Sequence, residues 1–346
     1  MTTTLAPNSL LAADADIRAD PAGYRVLTGD RPTGPLHLGH YLGSLRNRVR
    51  LQELGVDTYV VIADYQVITD RADPGDVAAN VRELVLDYLA AGLNPERTTI
   101  FAHSTVPALN QLMLPFLALT TVSELRRNPT VKSEAAVAGL SSIGGLLLTY
   151  PVHQAADILF CHGNLVPVGG DQLPHIEQTR LIARRFNDRY GPVFTEPQGL
   201  LSDAPALLGV DGRKMSKSRG NGIALRATED ETARLIRRTV TDSERTITFE
   251  PESRPEIASL LMMGALCAGT TPTELAAEVG DSGAAVLKHV VTEAVNEHLR
   301  SLRVRRAELS TDAGLLRDVL GVGTERASAV ASRTLADVHE ALGMRY

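Results

Sequence analysis

Alternation of apolar and polar positions first becomes regular at Tyr24-Arg-Val-Leu-Thr28, which predicts a short strand ending at Gly29. A turn rich in Gly and Pro, Gly29-Asp-Arg-Pro-Thr-Gly-Pro35, separates it from a helical pattern running from about Leu38 to Leu54 and closed by Gly55. Thr58-Tyr-Val-Val-Ile-Ala63 is nearly continuous in apolar and β-branched side chains, the pattern of a strand buried on both faces. Asp73-Pro74 opens the next helical stretch, Gly92 ends it, and Thr98-Thr-Ile-Phe-Ala102 forms a third strand. This β-α-β-α-β alternation predicts an α/β fold with a doubly wound parallel sheet.

Helical patterning dominates from about Val106 to Leu140, and the chain returns to the sheet near Leu165-Val-Pro-Val168. A long helix follows over 172–187, then a polar, Gly-bearing loop from Lys214 to Gly222. Beyond that loop the pattern is helical throughout, in segments 229–240, 256–268, 272–279, 284–309, 313–320 and 325–342. The expected division is an α/β domain over 23–222, with a helical insertion at about 106–160, and a C-terminal all-α domain over 223–346. Residues 1–22 carry Asp14, Asp16 and Asp20 and no basic stretch, so they read as a mobile extension rather than a secretory signal.

Composition narrows the class without naming a chemistry. The 346 residues contain 44% hydrophobic and 22% charged side chains, which excludes whole-chain disorder, a collagen-like repeat or a coiled-coil rod. With 35 Lys+Arg against 41 Asp+Glu the net charge is −6, so nothing global announces nucleic acid, although a local basic face could still bind it. Two cysteines, Cys161 and Cys267, cannot build a disulfide framework or a Cys-based zinc site. No apolar run approaches the ~18–20 residues that span a bilayer, and a cytoplasmic protein is expected.

The first chemical signal is Pro32-Thr-Gly-Pro-Leu-His-Leu-Gly-His40, placed between a strand and a helix. There a Gly-rich turn lets backbone approach a polyphosphate, and the helix start offers free N–H groups with partial positive charge. His37 and His40 share a face at that start, and Gly39 clears room for a base or ribose. Alone, such a pair reads more readily as incidental surface histidines. The second signal is Asp211-Gly-Arg-Lys-Met-Ser-Lys-Ser218, with Gly220 and Gly222 after it. Its two lysines suit departing pyrophosphate oxygens, and its glycines let a loop close over them. Alone it is a solvated basic loop; about 175 residues after the first motif, across an α/β region, coincidence becomes a poor explanation.

The two motifs together, His37-Leu-Gly-His40 and Lys214-Met-Ser-Lys-Ser218, resemble the ATP-binding signatures of class I aminoacyl-tRNA synthetases. That resemblance implies a Rossmann-like catalytic domain that joins an amino acid to AMP. The short length points to the tryptophanyl and tyrosyl subgroup. Tyr150, Gln154 and Asp157 lie along one helical face, and a buried carboxylate there can accept an indole N–H or a phenol O–H. Tyr-Pro-x-x-x-Ala-Ala-Asp-Ile-Leu from Tyr150, Val166-Pro-Val-Gly-x-Asp-Gln172, His175-Ile-Glu177, Arg185-Phe-Asn187 and Val240-Thr-Asp-Ser243 are most similar to tryptophanyl-tRNA synthetases.

This likeness implies a set of roles. Asp157 would read the indole N–H, with Tyr150, Gln154, Gln172 and Leu27 completing the tryptophan pocket. ATP would meet Arg31, Pro32, Thr33, Gly39, His40, Gly169, Gly170, Asp171, Leu207, Lys214, Met215, Ser216, Lys217 and Ser218. Lys217, Lys214, His37 and His40 would carry the catalysis. Mg²⁺ would arrive with ATP, with no dedicated protein site. The partners would be L-tryptophan and tRNA(Trp), in a homodimer with no membrane attachment. Arg234–Arg238 and Arg300–Arg306 are basic clusters for the tRNA, or solvated helix faces.

The tyrosyl enzymes are the rival, since they use a similar Gln-x-x-Asp face. Their phenol recognition adds a Tyr where this chain has Leu27, an apolar side chain that suits indole. A non-aminoacylating sensor of tryptophan or RNA is a further alternative. The chain departs from many bacterial tryptophanyl enzymes at His37-Leu-Gly-His40 (Thr-Ile-Gly-Asn there), at Gln154 (Met), at Arg31 (Gln) and across Ala63-Asp-Tyr-Gln-Val-Ile68.

Overall fold

The computed structural model describes residues 10–69, 73–137, 142–201 and 207–346; the side chains of Val137, Asp171 and Ser218 also lie outside the described set. Five strands form one parallel sheet: β1 Arg25–Asp30, β2 Asp57–Ile62, β3 Thr98–Ala102, β4 Leu165–Val168 and β5 Gln198–Leu201. Their order is β3-β2-β1-β4-β5, so the winding reverses between β1 and β4. Alternate residues of the buried strands serve opposite faces. Val60, Ile62 and Ile100 enter one core, while Leu27, Tyr59, Val61 and Phe101 enter the other.

The helices in chain order begin with α1 Asp14–Ala19, α2 Leu38–His40, α3 Arg46–Glu53, α4 Val77–Ala91, α5 Ala108–Ala118, α6 Val122–Arg127 and α7 Pro129–Val137. They continue with α8 Gly145–Leu159, α9 Leu173–Tyr190, α10 Glu229–Arg237, α11 Pro255–Ala268, α12 Pro272–Val279, α13 Ala284–Ser310 and α14 Leu315–Ala341. A π turn over Tyr41–Leu45 joins α2 to α3, so the expected helix from Leu38 runs unbroken but locally widened. None of the helices among the described residues is long and apolar enough to cross a membrane.

Several expectations need correction. Residues 10–22 are docked: Ala12 N donates to Gly199 O at 3.0 Å, Gly199 N to Leu10 O at 2.8 Å, and Ile17 is fully buried. Residues 1–9 of the expected mobile extension lie outside the described residues. The helix expected from Asp73-Pro74 starts at Val77, capped by Asp76, whose carboxylate accepts from Ala79 N at 2.9 Å. Asp73 instead bonds Gly75 N, a local turn that delays the helix. The two C-terminal segments broken near Gly321 and Gly323 are one helix, α14. Gly323 is there for packing, because a Cβ on it would lie 1.7 Å from the carbonyl oxygen of Ile100 on β3. That close crossing lets α14 cover the edge of the sheet, the usual way an edge strand is kept from pairing with another chain. The C-terminal helices also share a core with the sheet: Val60, Tyr88 and Ile100 belong to the same cluster as Leu261, Val291 and Leu299.

Candidate active site

Open α/β sheets bind ligands outside the carboxyl ends of their strands, where the winding reverses. Here a cavity of 390 Å³ opens at that place, lined by Leu27 to Arg31 of β1 and its exit, by Val166 to Gly169 of β4 and its exit, and by Tyr150, Gln154 and Asp157 of α8. Gln66, Glu134 and Gln172 complete much of its polar wall. Of the residues assigned to the amino-acid pocket, Leu27, Tyr150, Gln154, Asp157 and Gln172 all line this one cavity.

The two motif loops meet beside it. Leu38 N donates to Ile223 O at 2.8 Å and Leu225 N to Leu36 O at 2.9 Å, so the segment after the lysine loop is stitched to the start of α2. His37 and His40 each accept the other's backbone N–H at Nδ1, both at 3.3 Å. Accepting at Nδ1 places the ring proton of each on Nε2 and favours the neutral imidazole. Burial, together with the charge of Lys217, holds His37 down at about 4, and burial with His37 beside it holds His40 at about 3. The histidines are therefore uncharged hydrogen-bonding groups at neutral pH. His37 Nε2 is buried with no partner among the described residues. A Cβ on Gly222 would come within 2.9 Å of His37 Cβ, so glycine at that position is what lets the second loop close on the first.

The lysine loop has its own scaffold. Met215 N donates to Leu207 O at 3.0 Å, Ser216 N to Asn221 Oδ1 at 2.9 Å, and Asn221 Nδ2 to Asp211 Oδ1 at 2.7 Å. Lys217 Nζ donates to Arg31 O at 3.2 Å, joining residues 186 apart in sequence at the exit of β1. Burial lowers the Lys217 pKa, and Asp30 works against that shift.

Asp30 was missed by sequence reasoning. Its Oδ2 accepts from Arg48 Nη1 at 2.6 Å and from Tyr88 Oη at 2.7 Å, inside the wall between cavity and α4. Burial alone would raise the Asp30 pKa, but Arg48 and Lys217 together hold it well below the usual carboxylate range. The signal available was an Asp inside the Gly-rich turn; its partners lie 18 and 58 residues away.

Beneath the cavity lies a second polar cluster. His103 Nδ1 stands 2.8 Å from Asp157 Oδ1, with both side chains buried. His153 contacts Gln66 Nε2 through Nδ1 and Asn110 Oδ1 through Nε2, each at 3.0 Å. Tyr150 Oη lies 3.1 Å from His175 Nε2, and burial raises the Tyr150 pKa far above its ordinary value. His103 and His153 were also missed: His103 belongs to no motif quoted above, and His153 fills an unspecified position of the run from Tyr150 to Leu159.

Of the residues expected to meet ATP, Arg31 and Gly169 line the cavity itself. Pro32 is buried in the turn, Thr33 N donates to Arg31 O at 2.9 Å, and Gly169 and Gly170 are exposed at the exit of β4. Gly39 lies against His37 and Met215, where an added Cβ would meet His37 Nδ1 at 3.1 Å. Leu207 is buried, and its carbonyl is committed to Met215 N, which leaves that oxygen to the loop's own scaffold. Lys214 is exposed at the rim of the loop.

The basic clusters divide. Arg234, Arg237 and Arg238 are exposed, whereas Arg306 pairs with Glu83 and Asp87 of α4 and Arg303 bonds Thr232 Oγ1 at 2.8 Å. Arg303 and Arg306 are thus structural arginines rather than part of a free basic surface.

A family model described as tRNA synthetases class I (W and Y) matches residues 21–300. Tryptophan–tRNA ligase of Treponema pallidum is 42% identical over 327 residues, covering 92% of this chain and 97% of that protein. The Streptococcus agalactiae tryptophan–tRNA ligase is 40% identical over 334 residues, with 93% and 98% covered. Among solved structures, Campylobacter jejuni tryptophanyl-tRNA synthetase complexed with ADP and tryptophan superimposes with a TM-score of 0.79 at 29% identity, over 92% of this chain and 99% of that one. On the extent of that family match and of those identities, the chain belongs to the class I tRNA synthetases of the tryptophanyl and tyrosyl family.

Proposed function

We infer that the cavity takes L-tryptophan, that the two motif loops hold ATP, and that the chain is a tryptophan–tRNA ligase. The observation carrying this reading is the joining of both loops at the exit of β1, with Lys217 bonded to Arg31 O, beside a cavity that contains the buried carboxylate of Asp157. The substrate carboxylate is already ionised, so no side chain has to act as nucleophile or general base. It attacks the α-phosphorus of ATP in line, forming tryptophanyl-adenylate and releasing pyrophosphate. The terminal ribose hydroxyl of the tRNA then attacks the mixed anhydride, forming the ester and releasing AMP. Catalysis is a matter of positioning and of stabilising charge on the departing pyrophosphate.

Lys217 and Lys214 supply positive charge, and the Nε2–H of His37, buried without a partner among the described residues, supplies a neutral donor. His40, Arg31, Pro32, Thr33, Gly39, Met215, Ser216 and Ser218 shape the phosphate and base side; Gly169, Gly170 and Asp171 face the ribose. Mg²⁺ comes with ATP; Asp30, next to Arg31 in sequence, is already bonded to Arg48 and Tyr88. Leu27, Tyr150, Gln154 and Gln172 surround the amino acid with Asp157. Of the two basic clusters, the exposed Arg234, Arg237, Arg238, Arg300 and Arg305 are left for tRNA, and the chain works as a homodimer.

The test is ATP–pyrophosphate exchange with each of the twenty amino acids offered singly. Exchange is expected with tryptophan alone, with kcat/KM lowered at least ~100-fold in Lys217→Ala and in Asp157→Ala. Exchange with tyrosine would overturn the assignment of Leu27. Tryptophan binding without any exchange would favour a sensor.

A further inference from the structure

Tryptophan selection needs Asp157 to offer an oxygen in one direction only, and a carboxylate left to rotate in a pocket floor does not do this. We propose that His103 is a positioning residue for that selection: it holds Asp157 Oδ1 and thereby turns Oδ2 to the cavity, where it accepts the indole N–H. The proposal rests on the reading of Asp157 as the indole acceptor.

His103 follows directly on β3, is fully buried, and sits 2.8 Å from Asp157 Oδ1 on α8. The approach is close without being aligned along the ring N–H bond, a geometry that an ion pair tolerates better than a neutral hydrogen bond does. The ring is flanked on two sides. Tyr65 stands edge-on at 5.5 Å between centroids, and the His153 ring lies at 4.1 Å.

His153 is committed elsewhere. Gln66 donates to its Nδ1, and its Nε2 donates to Asn110 Oδ1, which fixes a neutral tautomer with no proton to offer Asp157. Besides Asp157, His103 faces the Asp64 carboxylate, itself bonded to Ser104, and the Asn110 side chain. Burial opposes charge on His103, but Asp157 and Asp64 outweigh it and raise its pKa, whereas burial lowers that of His153. The 2.8 Å approach of two buried side chains and the upward shift of His103 both favour a positive ring beside the Asp157 carboxylate. With His103 in that form the cavity floor presents a directed acceptor without an uncompensated charge.

The experiment compares tryptophan with 3-benzothienylalanine, an isostere in which sulfur replaces the indole N–H, in amino-acid-dependent ATP–pyrophosphate exchange. The readout is the ratio of their kcat/KM values in the full chain and in His103→Leu, His103→Phe and Asp157→Ala. Loss of packing alone would lower both substrates together and leave this ratio unmoved. Expected is a ratio lowered about tenfold or more in both His103 variants, with the KM for ATP unchanged. His103→Phe keeps a ring between Tyr65 and His153, so it decides the matter where His103→Leu fails to fold. An unchanged ratio in either folded His103 variant, with the ratio lowered in Asp157→Ala, overturns the proposal and leaves the pocket assignment standing. An unchanged ratio in Asp157→Ala overturns the pocket assignment and the proposal with it.

Discussion

Arg48→Met is the substitution whose cost follows most directly from the geometry. The Arg48 side chain is 4% exposed and that of Asp30 14%, with 2.6 Å between Nη1 and Oδ2. Methionine has a similar length and no charge, so it fills the space while leaving Asp30, among the described residues, with Tyr88 Oη as its remaining direct partner. Removing one member of a buried pair costs about 3–5 kcal/mol, and the retained Tyr88 bond and the Lys217 field argue for the lower end. For a chain of 346 residues, unfolding entropy near 2.1 cal/mol/K per residue converts about 3 kcal/mol into a Tm lower by roughly 4 °C. The chain contains no Trp, so urea unfolding is followed by far-UV circular dichroism rather than indole fluorescence. Arg48→Met combined with Asp30→Asn removes both charges, and the pair should cost about 2 kcal/mol less than the sum of the single changes. Without Arg48, burial dominates and the Asp30 pKa rises above its unfolded value. The variant's deficit should then shrink as pH falls from 7 to 5, because the folded state now binds the extra proton. A cost below about 1 kcal/mol, or strict additivity with Asp30→Asn, would refute the view that this pair anchors the exit of β1.

Two further outcomes test other parts of the structure. His37 has a folded pKa of about 4, against about 6.5 when unfolded, so the unfolded state binds more protons between those values. Stability from His37 is complete above pH 6.5 and falls by about 2 kcal/mol by pH 5; urea midpoints of His37→Gln/His40→Asn should show a shallower pH slope than the parent, and equal slopes would refute the neutral-pair reading. Gly323→Ala would put a Cβ 1.7 Å from Ile100 O, so α14 must move off β3, with a stability loss of about 3 kcal/mol or more. Thermal unfolding checks this, and a Tm within 1 °C of the parent, against the ~4 °C expected for that loss, would mean the crossing can relax freely.

The parts of the fold legible in the sequence are those whose signal is local. β2 and β3 are continuous apolar runs, and the two motif loops announce themselves by glycines and lysines at fixed offsets. β5 does not, because Gln198-Gly-Leu-Leu201 has neither length nor β-branched residues and is a strand only by pairing with β4. Gly321 and Gly323 look like a break for the same reason: local propensity counts glycine against a helix, and only the proximity of β3 explains why Gly323 is needed. The cavity-lining residues were legible where they share one helix, as Tyr150, Gln154 and Asp157 do. Asp30 with Arg48 and Tyr88, and Asp157 with His103, depend on how separate elements dock, and no periodicity within one segment reports that.

The arginines of α13 mark the boundary between what was illegible and what was merely unread. As a run, Arg300, Arg303, Arg305 and Arg306 look like one basic surface. Helical geometry groups positions three and four apart, so 299, 302, 303 and 306 share a face. Leu299 and Leu302 are buried on that face, and Arg303 and Arg306 follow them inward to Thr232, Glu83 and Asp87. The apolar residues of α13 therefore carried the information that two of its four arginines are structural. Among the described residues Arg305 is exposed and in no ion pair, while Arg300 pairs with Glu297 one turn away. A basic run on an amphipathic helix has to be divided by face before it is counted as a surface for nucleic acid. Divided in that way, the exposed charge available to a tRNA on this side of the molecule moves from α13 toward Arg234, Arg237 and Arg238 at the end of α10.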